Sequence, residues 1–186
     1  IAALVGISVS LKNEEAFYIP VAHKQGPQLG MKVVIEALRP AFENPKIGKV
    51  AHNAKYDYKV LARHGLITSP ISFDTMIAAF ILNPLMRSQS LDDLAYREFG
   101  IEMIPISDLL GKGRAQTTFD YTDIETATTY AAEDADITWR LYKRLAPEID
   151  SANFTKLAET TEWPLIEILG QMELAGIELD VDFLHN

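Results

Sequence analysis

The sequence of 186 residues contains no cysteine. This absence excludes a disulfide-stabilised scaffold, a zinc site built from thiolates and a cysteine nucleophile. The sequence also has no apolar run close to the roughly 18 residues that a membrane-spanning helix needs. We therefore expect a cytoplasmic protein without a membrane partner.

A glycine-rich phosphate-binding loop is also missing. Gly111-Lys112-Gly113 is too short for a P-loop and lacks its spacing. This counts against a nucleotide- or RNA-binding module of unrelated type, which remains an alternative at this point.

Negative charge is concentrated in the C-terminal third. The net charge of −9 argues at first against nucleic acid as a partner. However, residues 1–119 hold 13 Lys and Arg against 11 Asp and Glu, whereas residues 120–186 hold 4 against 15. A locally basic stretch from Lys46 to Arg63 is compatible with either a solvated helix face or a nucleic-acid surface.

Apolar periodicity and turn signals predict an α/β fold in which a mixed sheet is flanked by helices. A hairpin with strands at 4–11 and 16–21 opens the chain, and another short strand covers 46–51. Pro147 is expected to end a long helix, and Pro164 to kink or break the next one. The predicted helices cover 31–42, 55–64, 73–82, 91–99, 106–110, 123–145 and 154–175.

Two domains are predicted. Residues 151–153 read as a linker between a first domain, 1–150, and a connecting helix, 151–186. Because the first ten residues, IAALVGISVS, already have the character of a buried strand, we expect a fragment that lacks a preceding strand.

The first candidate cluster is Asn53 to Asp57, at a predicted junction of strand and helix. A carboxylate in the first turn of a helix faces backbone N–H groups, which favour its anionic form. Functional groups of α/β proteins also gather at the ends of strands. The structural alternative is that Asn53 caps the helix and Asp57 occupies its first turn. Spacing alone leaves both interpretations open.

The second cluster is Tyr130 to Asp136. Tyr130 and Asp134 are four residues apart and share one helix face, among small alanines. Glu133 and Asp136 are expected to point elsewhere and to be solvated. The alternative is a surface helix with a tyrosine–carboxylate hydrogen bond.

Asp74 forms a third cluster with Phe73 and Thr75, and a helix cap is the preferred interpretation. Taken together, Asp57 and Asp134 are hard oxygen ligands that suit Mg²⁺ or Mn²⁺. Hydrolysis of phosphodiesters commonly uses two such ions. A tyrosine hydroxyl beside them would orient the attacking water.

Six segments, in order, resemble the proofreading 3′–5′ exonuclease domains of bacterial family A DNA polymerases, the DNA polymerase I type, which have a ribonuclease H-like fold. Asn53-x-x-Tyr56-Asp57 is similar to the family's second exonuclease motif, and Tyr130-x-x-x-Asp134 to its third. The segments are AFYIPVAH, HNAKYD, FDTMIAAFILNP, SLDDLA, LLGKG and YAAEDADIT.

The resemblance implies a role for each matching residue. Asp134 would bind the ion that activates water, and Asp57 would be associated with a second ion. Tyr130 would orient the water. Asn53 and Tyr56 would line the cleft and contact the terminal nucleotide.

Weaker candidates for phosphate contact are His52, Lys55 and Lys112. The implied substrate is single-stranded DNA or a frayed 3′ end, and the implied cofactors are two Mg²⁺ or Mn²⁺ ions.

The end of the chain resembles the segment that leads into a polymerase domain. The similar stretches are EWPL at 162–165 and MELAGI at 172–177. The implied partner is therefore a polymerase domain in the same parent chain. The resemblance favours a role in DNA replication and repair over a ribonuclease D-like RNA exonuclease.

The sequence departs from the family at the first motif, an Asp-x-Glu on the first strand, which we do not find. Glu14 and Glu15 lie in a predicted turn and are poor substitutes. We expect the given chain alone to hydrolyse DNA poorly, because each hard ion needs several oxygen ligands. A non-catalytic module that braces a polymerase domain remains an alternative.

Overall fold

The computed structural model describes residues 3–113 and 116–184. A 3-10 turn, Phe119–Tyr121, precedes the long helix that begins at Ile124, and a π-helical segment, Ala158–Glu162, precedes the helix that begins at Trp163. The elements are β1 (Gly6–Lys12), β2 (Glu15–Pro20), α1 (Met31–Phe42), β3 (Lys49–Ala51), α2 (Ala54–Arg63), β4 (Ile71–Asp74), α3 (Thr75–Leu82), α4 (Leu91–Phe99), α5 (Ile106–Leu110), α6 (Ile124–Ser151), α7 (Thr155–Leu157), α8 (Trp163–Ala175) and α9 (Val181–Leu184). Over these described ranges, no helix has the length and apolar character needed to span a bilayer.

The strands combine antiparallel and parallel pairing, as the sequence predicts. β1 and β2 form an antiparallel hairpin in which Ser8 lies opposite Tyr18. β3 and β4 pair in parallel, with Ala51 opposite Asp74. Within the described residues the two pairs form separate two-stranded sheets rather than one continuous sheet. Helix α6 packs against β1, β2 and β3, and so connects the two pairs.

Two hydrophobic clusters form the core. The larger one joins the buried side of α6, including Leu141 and Leu145, to β4, α3 and α4. Trp163 and Ile166, from α8, belong to the same cluster. The smaller cluster lies between the hairpin, α1 and α2, and contains Ile7, Val34, Ile35, Leu61 and Leu66. Thus α8 packs onto the core of the preceding residues, although the domain boundary at 150 stays a prediction.

Two predicted element boundaries were wrong. Helix α6 continues through Pro147 to Ser151, because Leu145 and Ile149 on either side of the proline are buried. Phe73, predicted to begin a helix, instead lies in strand β4. The interruption predicted near Pro164 is confirmed: a π-helical segment ends there, and the proline occupies the tolerated first turn of α8.

Gly170 sets how closely α8 approaches α2. A Cβ at this position would lie 2.6 Å from Cδ1 of the buried Tyr58 ring. We expect Gly170→Ala to lower the free energy of unfolding by about 1–2 kcal/mol, because the overpacking cost exceeds the gain in helix propensity. The control is Gly30→Ala, where nothing lies within 4 Å of the added Cβ. Urea unfolding measures both, and equal stability of the two variants would contradict the prediction.

Candidate active site

The turn between β3 and α2 places Asp57. Asn53 adopts a left-handed conformation, with φ of 59°, immediately before α2 begins at Ala54. Its side chain makes no capping hydrogen bond, so the proposed capping role of Asn53 was wrong in that respect. Asp57 lies in the first turn of α2, as predicted. The turn therefore sets the direction in which the first turn of α2 presents its side chains.

Asp74 fixes this turn from the neighbouring strand. The predicted cap is confirmed, because its carboxylate accepts from the backbone N–H groups of Met76 and Ile77 at the start of α3. It also accepts from Asn53 N at 3.2 Å and Ala54 N at 2.7 Å. One carboxylate thus joins the beginnings of two helices. The link to α2 was missed from the sequence, since the partners are about 20 residues apart and no spacing pattern connects them.

Asp74 is almost completely buried, at 1% exposure. Burial raises its pKa above the ordinary value, and the hydrogen bonds from four backbone N–H groups oppose this shift. Because its oxygens are occupied by these donors, we assign Asp74 a structural role rather than that of a metal ligand.

Helix α6 presents Tyr130 and Asp134 on one face. Burial raises the pKa of Tyr130, and the charge of Asp134 adds to this shift. The hydroxyl interacts with the Asp134 carboxylate and partly opposes the rise in its pKa. The two side chains therefore lie close enough for each to affect the pKa of the other. Because the phenol keeps its proton at neutral pH, it can act as a hydrogen-bond donor.

Asp57 and Asp134 both have unusually high pKa values. Burial, followed by the charges of Asp74 and Asp134, raises the pKa of Asp57 to about 7. Burial, followed by the charge of Asp92, raises the pKa of Asp134 to about 7. The charge of Asp134 contributes to the raised pKa of Asp57, so the two carboxylates lie near enough to repel each other.

Asp57 combines this shift with an exposed side chain. The Asp57 carboxylate is therefore recessed: protein atoms surround it at longer range, and one side of it is open to water. Burial by these surrounding atoms is the main cause of the raised pKa, and the charges of Asp74 and Asp134 add to it. A group of this kind is available to a ligand that enters from solvent.

The donor set fits part of a divalent-cation site. A cation between Asp57 and Asp134 would relieve their repulsion, and their oxygens suit Mg²⁺ or Mn²⁺. In residues 3–113 and 116–184, no group of three or more His, Asp or Glu side chains has the arrangement of a complete metal site. The two carboxylates would therefore supply only some of the ligands.

The three weaker candidates for phosphate contact and the cleft residue Tyr56 lie in different environments. The ring of His52 bonds Thr75 Oγ1 at 2.9 Å, and burial lowers its pKa to about 4. It is therefore uncharged at neutral pH. Lys55 Nζ lies 2.6 Å from Glu173 of α8. Tyr56 is 49% exposed, and Lys112 is exposed in the turn after α5.

Glu133 and Asp136 are half-buried and bonded to the backbone of other segments, whereas both were predicted to be solvated. Glu133 accepts a hydrogen bond from the backbone N–H of Ile104 at 2.8 Å. Asp136 accepts from the backbone N–H of Glu14, in the tip of the hairpin, at 2.6 Å. These carboxylates attach α6 to neighbouring segments, whereas Asp134 on the same helix faces Tyr130.

A family model described as 3′–5′ exonuclease matches residues 1–150. This chain belongs to the 3′–5′ exonuclease family. Its relatives are DNA polymerase I enzymes, so the resemblance seen in the sequence is confirmed. DNA polymerase I of Chloroflexus aurantiacus is 43% identical over 98% of the chain, which spans 19% of that protein. The Pseudomonas aeruginosa enzyme is 36% identical over 98% of the chain, or 21% of its own length.

Solved structures agree on the fold. The chain matches the POL domain of Pol1 from M. smegmatis, in complex with DNA primer-template and dNTP, with a TM-score of 0.72 and 24% identity. The match covers 92% of this chain and 25% of that one. Brucella melitensis NrnC matches with a TM-score of 0.72, 20% identity, and coverage of 96% and 81%. NrnC has also been solved with bound Mg²⁺. The fold is therefore the ribonuclease H-like α/β fold.

The chain spans about a fifth of the length of its curated relatives. Its residues 1–150 correspond to the 3′–5′ exonuclease domain of these polymerases.

Proposed function

We propose that this domain removes nucleotides from the 3′ end of DNA by hydrolysis with two divalent ions, Mg²⁺ or Mn²⁺, and so proofreads for a polymerase domain in the same parent chain. The observation that carries this proposal is that Asp57, exposed in the first turn of α2, and half-buried Asp134 of α6 lie near enough to repel each other, with the protonated hydroxyl of Tyr130 beside Asp134. Two carboxylates with purely structural roles would gain no stability from being placed where they repel each other.

Each residue has a separate task in the proposed reaction. Asp134 of α6 and Asp57 of α2 would hold the cations from two different helices. The bound ions would supply positive charge next to the scissile phosphate and lower the pKa of a water molecule. Tyr130 would donate or accept a hydrogen bond that orients an attacking water molecule towards phosphorus. Asp74 keeps the first turn of α2 in place.

The proposed substrate contacts come from the surface around Asp57. Tyr56 has an exposed ring that a base of an unpaired 3′ end can stack on. Asn53 lies in the turn beside it and can bond a sugar or base. His52 is neutral, so any contact with phosphate would be a hydrogen bond rather than an ion pair. Lys112 is free of ion pairs in the described residues and is the remaining candidate for a charged contact.

Lys55 fits a structural role better than phosphate contact. It and Lys59 both pair with Glu173, which fastens α2 to α8.

The outward side of α8 carries four exposed apolar residues, Leu165, Ile168, Leu169 and Met172. Since the relatives are DNA polymerases about five times longer than this domain, we assign that side to contact with the polymerase domain.

A ribonuclease D-like activity on RNA is the second candidate. NrnC, which has been solved with pGG, has the same fold, although the curated relatives at higher identity are DNA polymerases. The deciding experiment uses the complete gene product and 5′-labelled DNA and RNA single strands of equal sequence, with Mg²⁺ or EDTA. Mg²⁺-dependent shortening of DNA from the 3′ end is expected. Preference for RNA would support the alternative, and failure to shorten either would favour the non-catalytic brace.

Tyr130→Phe tests the role of the hydroxyl. We expect kcat for nucleotide release to fall by about 100-fold, at the lower end of the effect of a group that positions or exchanges a proton with the attacking water. KM for DNA should change little, because the ring remains. Single-turnover release of the labelled 3′ nucleotide measures this, and an unchanged kcat would remove Tyr130 from the mechanism.

A further inference from the structure

A polar network links the segment between β2 and α1 to the 3-10 turn Phe119–Tyr121, which precedes α6. Residues 23 and 24 of this segment bind the 3-10 turn that precedes α6. Lys24 donates its backbone N–H to Asp120 O at 2.8 Å, and its ammonium group lies 3.2 Å from Asp120 Oδ2. The same ammonium group lies 5.7 Å from the centre of the Tyr121 ring. The segment and the turn are thus held together before α6 begins.

His23 is the buried centre of this network, at 5% exposure. Its Nδ1 lies 2.9 Å from the carbonyl oxygen of Thr122, and its Nε2 lies 2.7 Å from the hydroxyl of Tyr18. A carbonyl can only accept, so Nδ1 carries the proton, and in the neutral ring Nε2 accepts from Tyr18. Gln28 exchanges two hydrogen bonds with the His23 backbone, both of 2.8 Å.

The position of Tyr18 requires glycine at position 6. The Tyr18 ring lies over Gly6 of β1, where an added Cβ would come within 2.1 Å of the hydroxyl. Burial raises the pKa of Tyr18 to about 12, so its hydroxyl stays protonated and able to donate. The hairpin therefore holds one side of the His23 ring while the Thr122 carbonyl holds the other.

A series of three rings leads from His23 to the active site. The centre of the His23 ring is 6.0 Å from that of Phe119, and the Phe119 ring is 6.0 Å from that of Tyr130. Both pairs are tilted, in the distance range of favourable aromatic contacts. The side of the Tyr130 ring that faces the turn is therefore packed against a residue whose own position depends on His23.

We propose that His23 is a positioning residue for the exonuclease reaction: it fixes Phe119, which holds the Tyr130 ring so that its hydroxyl meets Asp134. His23 touches neither Asp57 nor Asp134, and it acts only through the turn and the two rings. This inference deepens the proposed function and rests on it for its kinetic consequence, but the positioning itself is a property of the folded chain.

The first test follows the Tyr130 ring without requiring activity. In the complete gene product with ¹³C-labelled tyrosine, the Tyr130 ring signal is assigned by its loss in Tyr130→Phe. Phe119→Leu and His23→Asn are each expected to shift this signal; the second retains an amide donor near the Nδ1 position but removes the ring. Tyr121→Leu is the matched control, because it removes an exposed ring from the same turn. A Tyr130 signal unchanged in both test variants would overturn the proposal.

The second test is a double-mutant cycle on nucleotide release. Phe119→Leu is expected to lower kcat by about tenfold with KM for DNA unchanged, and to have little effect when residue 130 is already phenylalanine. A purely structural role would reduce kcat by equal factors in both backgrounds, which would overturn the proposal. Thermal melting confirms that each variant is folded. If the unaltered protein releases no nucleotide, the proposed function fails and the ring signal alone decides the positioning.

Discussion

Asparagine in place of Asp134 is expected to lower the rate of Mg²⁺-dependent nucleotide release by at least about 10²-fold, the loss typical when one preorganised charge is removed from an active site. Asp57→Asn is expected to act in the same direction, because the two carboxylates would share the task of holding the cations. The measurement is single-turnover hydrolysis of single-stranded DNA by the complete gene product across a range of Mg²⁺ concentrations.

The same variants are expected to be more stable than the unaltered protein when metal is removed. The folded-state pKa of Asp134 is raised to about 7, so the folded state binds more protons than the unfolded state at pH between about 4 and 7. Stability is therefore lost as pH rises through this window. Asparagine has no charge to desolvate, so Asp134→Asn should melt at a higher temperature than the unaltered protein at pH 8 in EDTA.

Glu125→Gln is the matched control for Asp134→Asn. Glu125 is an exposed carboxylate in the first turn of the same helix. Its replacement should leave both hydrolysis and the pH dependence of stability almost unchanged. An Asp134→Asn protein that hydrolyses DNA normally, or that is destabilised in EDTA at pH 8, would contradict the assignment of Asp134 to a cation site.

Asp74→Ala is expected to have the largest effect on stability, a loss of roughly 3–5 kcal/mol in the free energy of unfolding, as when a buried charged network loses one partner. The change would leave four backbone N–H groups at the starts of α2 and α3 without an acceptor. Equilibrium unfolding in urea provides the measurement. Hydrolysis should also fall, because the turn before Asp57 would lose its support.

Ser90→Ala provides the comparison, because Ser90 caps α4 alone and from an exposed position. An ordinary cap of this kind is worth about 1 kcal/mol. If Asp74→Ala costs no more than Ser90→Ala, Asp74 is a simple cap, and its bonds to Asn53 and Ala54 contribute nothing to stability.

Short-range patterns in the sequence were sufficient to predict much of this site. The i,i+4 spacing of Tyr130 and Asp134 places both on one helix face, and Asp57 lies in the first turn of the helix that follows a strand end. The N-cap roles of Ser90 and Asp74 also follow from residue type and position. In each case the partners are within a few residues of each other, so the local backbone geometry alone determines their relation.

The contacts that hold the site in place were not predictable in this way. Asp74 reaches α2 across about 20 residues, Lys55 reaches Glu173 across 118, and His23 reaches Thr122 across 99. Such pairs depend on how the elements pack, which no periodicity encodes. The same limitation explains why Glu133 and Asp136, polar and on the same helix as Asp134, were expected to be solvated.

The 28 residues of α6 also have a consequence for the synthesis of the protein. The hairpin at residues 6–20 shares a hydrophobic cluster with α1 and α2, but it also packs against α6, which begins more than 100 residues later. At about 5–20 residues per second, the ribosome needs on the order of ten seconds to make that interval. During this time α6 does not yet cover its side of the hairpin. That side of the nascent chain is therefore exposed to water and accessible to chaperones.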